Sequence, residues 1–302
     1  MNRRFPAMML VLLGGTSYGF VSMTIKLSYA HHFQPEEMTD AQFLISVLIL
    51  SILAMLRRES FFRINKRDFL LLILLGFISA GTSVFYYISL RYLPASIAIV
   101  LLFQFSWIVM LFDYLVHRKK PAKEKWLALV CIVLGTLLAV DIFHADLHDI
   151  SFVGILLGFL SGFLYAAFLF GTSYLKTQAV PFASSAVINF VAASIVCSIY
   201  PPVFLWQGAL AAGLWKWALF VGLLSQTIPP LCFTLGTPVI GGSVAGVLGS
   251  IELPVAVISS YFFLGESVNV IQWLGVTSIV LGIVISEYRQ FLKFRKTRQA
   301  FH

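Results

Sequence analysis

The run "VLGSIELPVAVISSYFFLGE", residues 247–266, sets one acid, Glu252, inside an apolar stretch that ends at a second acid, Glu266. A charge at the centre of a bilayer costs about 2.5–3.5 kcal/mol on insertion scales, so an ionisable group kept at that depth marks a pathway by default. Three, four and seven residues from Glu252 stand Ala245, Gly249, Ala256 and Ser259. That small-residue face either admits a second helix closely or leaves room for a cavity. The chemistry on offer is that of a protonatable carboxyl. It can take up and release a proton as its access to water alternates, or bind solute, or tie two helices together.

Other polar groups sit at comparable depth. Gln104 lies mid-run in "VLLFQFSWIVM", as a pathway group or as interhelical glue. Lys26 shares a face with Gly15, Gly19 and Ser22 near the outer end of the first run, where it snorkels to the interface or orients solute at the outer mouth. In "GLLSQTIPPLCFTLG", Pro229 and Pro230 remove two backbone donors just after Ser225, Gln226 and Thr227. The corresponding stretch "ISAGTSVFYYIS" is also rich in Gly, Ser and Thr. Interrupted segments at matching positions of two halves point to a transporter site, with packing kinks as the alternative. Tyr86, Tyr87 and Trp107 add stacking surface nearby, although aromatics in such runs more often face lipid or core.

These groups must be positioned by membrane helices. Of 302 residues 59% are apolar and 11% charged, against about 25% charged in soluble domains. Spanning helices need roughly 20 mostly apolar residues. That rule predicts ten, over 5–29, 39–56, 69–90, 94–116, 124–142, 152–175, 182–204, 214–236, 241–264 and 269–288. The basic start "MNRRFP" leads into a run too long for a signal peptide, so the first span is expected to stay uncleaved. Cys131, Cys197 and Cys232 all lie in apolar runs, and no disulfide framework is expected. With the N-terminus inside, only Arg91 and Lys216 fall outside and Lys26 lies within span 1, leaving 18 of the 21 Lys and Arg inside. The net charge of +8 is therefore topological, not a nucleic-acid footprint, and both termini are expected in the cytoplasm.

Shifting the chain by 147 residues lays the first five spans on the last five: Leu13 meets Leu160, Gly15 Gly162, Tyr18 Tyr165, Phe43 Phe190, Trp126 Trp273 and Gly135 Gly282. At that offset Gln104 meets Ile251, whereas it meets Glu252 only at 148. Five is odd, so the second copy enters from the opposite side. The expected fold is an all-α integral membrane protein of ten transmembrane helices in two inverted five-helix repeats, 1–147 and 148–302, the second ending in a basic tail. Gly154, Gly158 and Gly162 form a ridge for close packing within the bundle. His144, Asp146, His148 and Asp149 in the loop after span 5 are read as solvated residues, and no metal or other cofactor is expected.

"YGFVSMTIKL" (Tyr18 to Leu27), "IELPVAVISSYFFLGES" and the pair Tyr165–Ala166 resemble the first, ninth and sixth spans of the ten-span drug/metabolite transporters of the EamA type. The resemblance covers nearly the whole chain. Gln42 stands where that family often carries arginine, and the fourth span ends in "VHRKK" without Leu-Gly-Glu. The resemblance implies a permease that moves a small organic metabolite or drug by alternating access around a midplane cavity, with the proton as candidate coupling ion. Its expected pathway residues are Glu252, Gln104, Lys26, Tyr18, Ser225, Gln226, Thr227, Pro229, Tyr86 and Tyr165. The other classes weighed are an intramembrane enzyme and a sensor or structural protein without transport. No HExxH, GxGD or buried Ser–His pattern supports an enzyme, and no GxxxxGK[ST] supports ATP hydrolysis. The expected setting is a bacterial inner membrane, with solute, protons and lipid as partners and a monomer or weak dimer as assembly.

Overall fold

The computed structural model describes residues 3–30, 33, 35–118, 122–141, 151–206 and 208–299, with the side chains of 29–30, 35–36 and 287–299 left aside. The loop residues His144, Asp146, His148 and Asp149 lie outside the described residues. Among the described residues the helices fall into ten spans. These are span 1 (Arg4–Ala30), span 2 (Pro35–Leu56), span 3 (Lys66–Ser89), span 4 (Ala95–His117) and span 5 (Lys123–Ala139). The second set is span 6 (Phe152–Thr172), span 7 (Pro181–Ile199), span 8 (Leu210–Ile240), span 9 (Gly242–Leu264) and span 10 (Val270–Gln299). Eight are long and apolar enough to cross a bilayer by length and composition, and span 10 opens with a shorter apolar stretch, Val270–Ser286.

Helix is the form that lets each segment satisfy its own backbone in hydrocarbon. The outward faces carry bare apolar side chains. Phe262 is 71% exposed and Leu127 53%, surfaces that belong against acyl chains.

Packing follows the internal symmetry. Span 1 packs on spans 8 and 9, and span 6 on spans 3 and 4. Spans 2 and 7 pack on each other, as do spans 5 and 10. Adding five to each number, modulo ten, converts each of these contacts into another of the set, as a two-fold between the halves requires. The Ser278 hydroxyl donates to the Cys131 carbonyl at 2.9 Å, and these two residues are themselves 147 apart. Backbone detail repeats too: Arg118 (φ +53°) and Gly265 (φ +66°), also 147 apart, end spans 4 and 9 in the left-handed region. At Gly265 that conformation costs no Cβ clash.

Spans 4 and 9, expected as continuous helices, are each broken. Span 4 consists of Ala95–Leu102 and Phe105–His117, and span 9 of Gly242–Gly249 and Glu252–Leu264. The interruptions, Phe103–Gln104 and Ser250–Ile251, are 147 residues apart. Span 8 starts earlier and ends later than expected, and its middle, Gly222–Thr227, is a wide π-type turn.

Candidate functional site

In span 9 a proline reinforces the break. Pro254 has no N–H to offer the Ser250 carbonyl four residues back. Glu252 therefore occupies the first turn of the half-helix Glu252–Leu264, whose N-terminal dipole end favours negative charge. Glu252 is half-buried overall, while its Oε2 is fully enclosed and has no hydrogen-bond partner. A buried polar atom left this way costs about 1–3 kcal/mol.

Span 1 forms one wall. A Cβ built on Gly15 would fall 2.8 Å from Ile251 Cγ2, and one on Gly19 would fall 2.5 Å from Val255 Cβ and 2.7 Å from the Glu252 carbonyl oxygen. Only glycine lets the two backbones meet there. The second half repeats the device: a Cβ on Gly162 would lie 2.6 Å from the Leu101 carbonyl and 2.7 Å from that of Leu102, beside the break in span 4.

Tyr18, from the same face of span 1, lies within electrostatic reach of Glu252 and of Tyr87. Its repeat mate Tyr165 meets it edge-on at 6.2 Å between ring centroids and also lies in reach of Glu252. The Tyr165 hydroxyl is buried and has no hydrogen-bond partner. Phe105 packs on Tyr165 at 4.6 Å and Phe233 on Tyr18 at 6.1 Å. Tyr87 in turn hydrogen-bonds the side chains of Gln42 and Thr39. The result is a cluster of one carboxyl, several phenol groups and aromatic rings drawn from both repeats.

The structure thus brings together Glu252, Tyr18 and Tyr165 of the residues singled out from sequence. Tyr86 sits one step off, meeting Tyr87 edge-on at 5.9 Å, and it is Tyr87 that reaches the cluster. Gln104 serves its own break: Nε2 donates to the Val100 carbonyl at 2.9 Å and Oε1 accepts from Trp107 Nε1 at 2.8 Å. The residue opposite Glu252 in the first repeat is Phe105.

Ser225, Gln226, Thr227 and Pro229 form a separate polar knot against spans 1, 2 and 7. Pro229 and Pro230 leave the Ser225 and Gln226 carbonyls without their helical donors. Ser17 donates to the Leu224 carbonyl at 2.7 Å, and Ser46 and Asn189 donate to that of Gln226 at 2.7 and 3.0 Å. The Ser225 hydroxyl donates to Gln42 Oε1 at 2.8 Å, and that of Thr227 to Ser46 Oγ at 3.1 Å. The knot touches the cluster through Gln42, which bonds both Ser225 and Tyr87.

Lys26 is distant from this chemistry. Its Nζ pairs with Glu266 at 2.6 Å, joining the ends of spans 1 and 9, with the two side chains 52% and 43% exposed. Sequence reading missed Tyr87's place in the cluster, Phe105 and Phe233. Phe105 was within reach of the repeat offset, since it stands 147 before Glu252.

Two inverted five-helix repeats define the class of protein as a ten-span membrane protein. The chain belongs to the EamA-like transporter family, whose model matches residues 5–140 and 152–288. It is 26% identical over 225 residues to an uncharacterized transporter of Synechocystis, the match covering 71% of this chain and 65% of that one. It is 28% identical over 227 residues to the threonine/homoserine exporter RhtA of Escherichia coli K12, covering 72% and 71%. A solved crystal structure superposes with a TM-score of 0.76 over 94% of this chain and 96% of the other at 15% identity, a likeness of fold.

Proposed function

We propose that this protein is a secondary exporter of a small organic solute carrying an ammonium group, working by alternating access about the Glu252 pocket in exchange for protons. The observation that carries the reading is the Glu252 oxygen, enclosed, without a partner and beside tyrosines from both repeats. A carboxylate binds ammonium by charge and hydrogen bond, and aromatic faces favour cations by up to about 2 kcal/mol when desolvated. One carboxyl that holds either a proton or the solute couples the two fluxes, because occupancy by one excludes the other. Small amino acids are the first solutes to try, given the exporter among its relatives. The end carrying the 2–3 and 4–5 loops is assigned to the cytoplasm on its cations.

The test is uptake of radiolabelled threonine and homoserine into proteoliposomes under an imposed pH gradient. With the lumen acidic, the parent protein should concentrate solute and alkalinise the lumen in proportion, since each solute taken up sends protons out. Glu252→Gln should bring gradient-driven flux below about a tenth of the parent rate, about 1.4 kcal/mol in barrier. Unchanged pH dependence in that variant rejects the proton role, and flux that never responds to a gradient makes the protein a passive facilitator.

A further inference from the structure

Away from that cluster, spans 2, 3 and 7 enclose a cleft of about 340 Å³. That is within the range of small-molecule sites, about 300–1,000 Å³. Its walls are almost wholly apolar, from Val47, Phe61, Phe69, Val187, Phe190 and Val191. Phe61, Phe69 and Phe190 are exposed, so the cleft opens sideways on the lipid-facing surface. Phe61 belongs to a single turn, Phe61–Arg63, in the 2–3 loop, and Phe69 to the first turns of span 3. The mouth therefore lies at the basic end of the bundle.

The charge around that mouth is unbalanced. Arg58, Arg63, Lys66 and Arg67 are exposed, and none is in an ion pair among the described residues. Arg57 lies over the Phe182 ring at 5.9 Å. The two acids nearby are committed elsewhere. Glu59 Oε2 accepts the Ala183 backbone N–H at 2.9 Å in the first turn of span 7. Asp68 is 1% exposed and exchanges hydrogen bonds with Asn65. Phe62, fully exposed between Phe61 and Arg63, is placed to anchor the turn at a membrane interface.

We infer that this cleft binds one acyl chain of an anionic glycerophospholipid, with the lipid phosphate held by Arg58, Arg63 and Arg67. The occupant is a lipid because the cleft opens where acyl chains are the solvent. It is an anionic one because the turn at its mouth carries more cations than acids, and none of these cations is ion-paired among the described residues. Basic pockets between helices at a membrane surface recognise headgroups in this way, each cation strengthening binding roughly fivefold.

Native mass spectrometry of the full chain tests the assignment, with dioleoylphosphatidylglycerol and dioleoylphosphatidylcholine offered at equal concentration. The parent should retain the glycerol lipid at least tenfold better. R58Q/R63Q/R67Q should bring the two lipids to parity, while R118Q/K123Q/K176Q, an equal charge loss elsewhere at the same end, should keep the preference. Val187→Trp, which fills the cleft, should lose the retained lipid of either kind. An unchanged thermal midpoint in lipid-free detergent marks the variants as folded. If the control triple variant loses the preference as fully, the effect is diffuse electrostatics and the site is wrong. A dimer that Val187→Trp dissociates would show that a second copy fills the cleft and would equally overturn the assignment. Neither outcome depends on whether Glu252 carries protons.

Discussion

The breaks in spans 4 and 9 occupy the same place in the two repeats and are finished differently. In span 4 the interruption is closed from within: Gln104 satisfies Val100 and Trp107, and the Ser106 hydroxyl donates to the Phe103 carbonyl at 3.1 Å. Phe105, next along, is fully buried against Tyr165. In span 9 Pro254 prevents closure, and Glu252, opposite Phe105 by the repeat, keeps an enclosed oxygen without a partner. The shared element, a broken helix against a glycine of span 1 or span 6, belongs to architecture. What differs is a carboxyl in one half against a phenyl ring at the matching position of the other.

The comparison can be broken first at the glycines. Gly19→Ala would drive a methyl into the Glu252 carbonyl and Val255, and Gly162→Ala into two carbonyls of span 4. Backbone cannot yield as a flexible side chain does, so each should cost about 3 kcal/mol, the upper end for overpacking. Thermal unfolding in detergent should show similar losses for both. A tolerant Gly162 with an intolerant Gly19 would mean that only the second half needs the close approach.

Gln104→Leu comes next. It strips partners from Val100 and Trp107 and should destabilise by about 2 kcal/mol, the cost of orphaned buried polar groups. The pH profile of any transport should stay where the parent has it, in contrast to Glu252→Gln. A moved profile would give Gln104 a place in the pathway that its hydrogen bonds do not suggest.

The smallest effect is expected at the rim. Lys26 and Glu266 are about half exposed, so a double-mutant cycle over Lys26→Gln and Glu266→Gln should find less than about 1 kcal/mol of coupling, shrinking as salt rises. A larger, salt-resistant coupling would indicate that the pair is desolvated in another conformation and closes the end of the bundle joining spans 1 and 9.

Much of this was readable from residue order because lipid punishes polarity. A charge or a double proline in an apolar run stands out at Glu252 and at Pro229–Pro230 without knowledge of any neighbour. The offset of 147 was visible at Tyr18 and Tyr165 and at Gly15 and Gly162, whereas the breaks in spans 4 and 9 were not, since both were expected as continuous helices. What the polar runs do was less visible. Ser225, Gln226 and Thr227 lie near the damaged backbone of span 8, where a ligand site and a self-repaired kink have the same composition. Only the positions of Ser17, Ser46 and Asn189, from three other spans, show that the carbonyls there already have donors.

Residue order alone therefore determined the ten-helix membrane architecture, the repeat and the acid set deep in span 9. These depend on transfer energies and helix length, which are local properties of the chain. Tertiary structure alone decided that Tyr18, Tyr87 and Tyr165 cluster with Glu252, while Gln104 bonds within its own span and the Leu224 and Gln226 carbonyls take donors from spans 1, 2 and 7. Hydrogen bonds act over about 3 Å and pick partners by proximity in space. Which polar groups find a partner, and which do not, is fixed only when the helices meet.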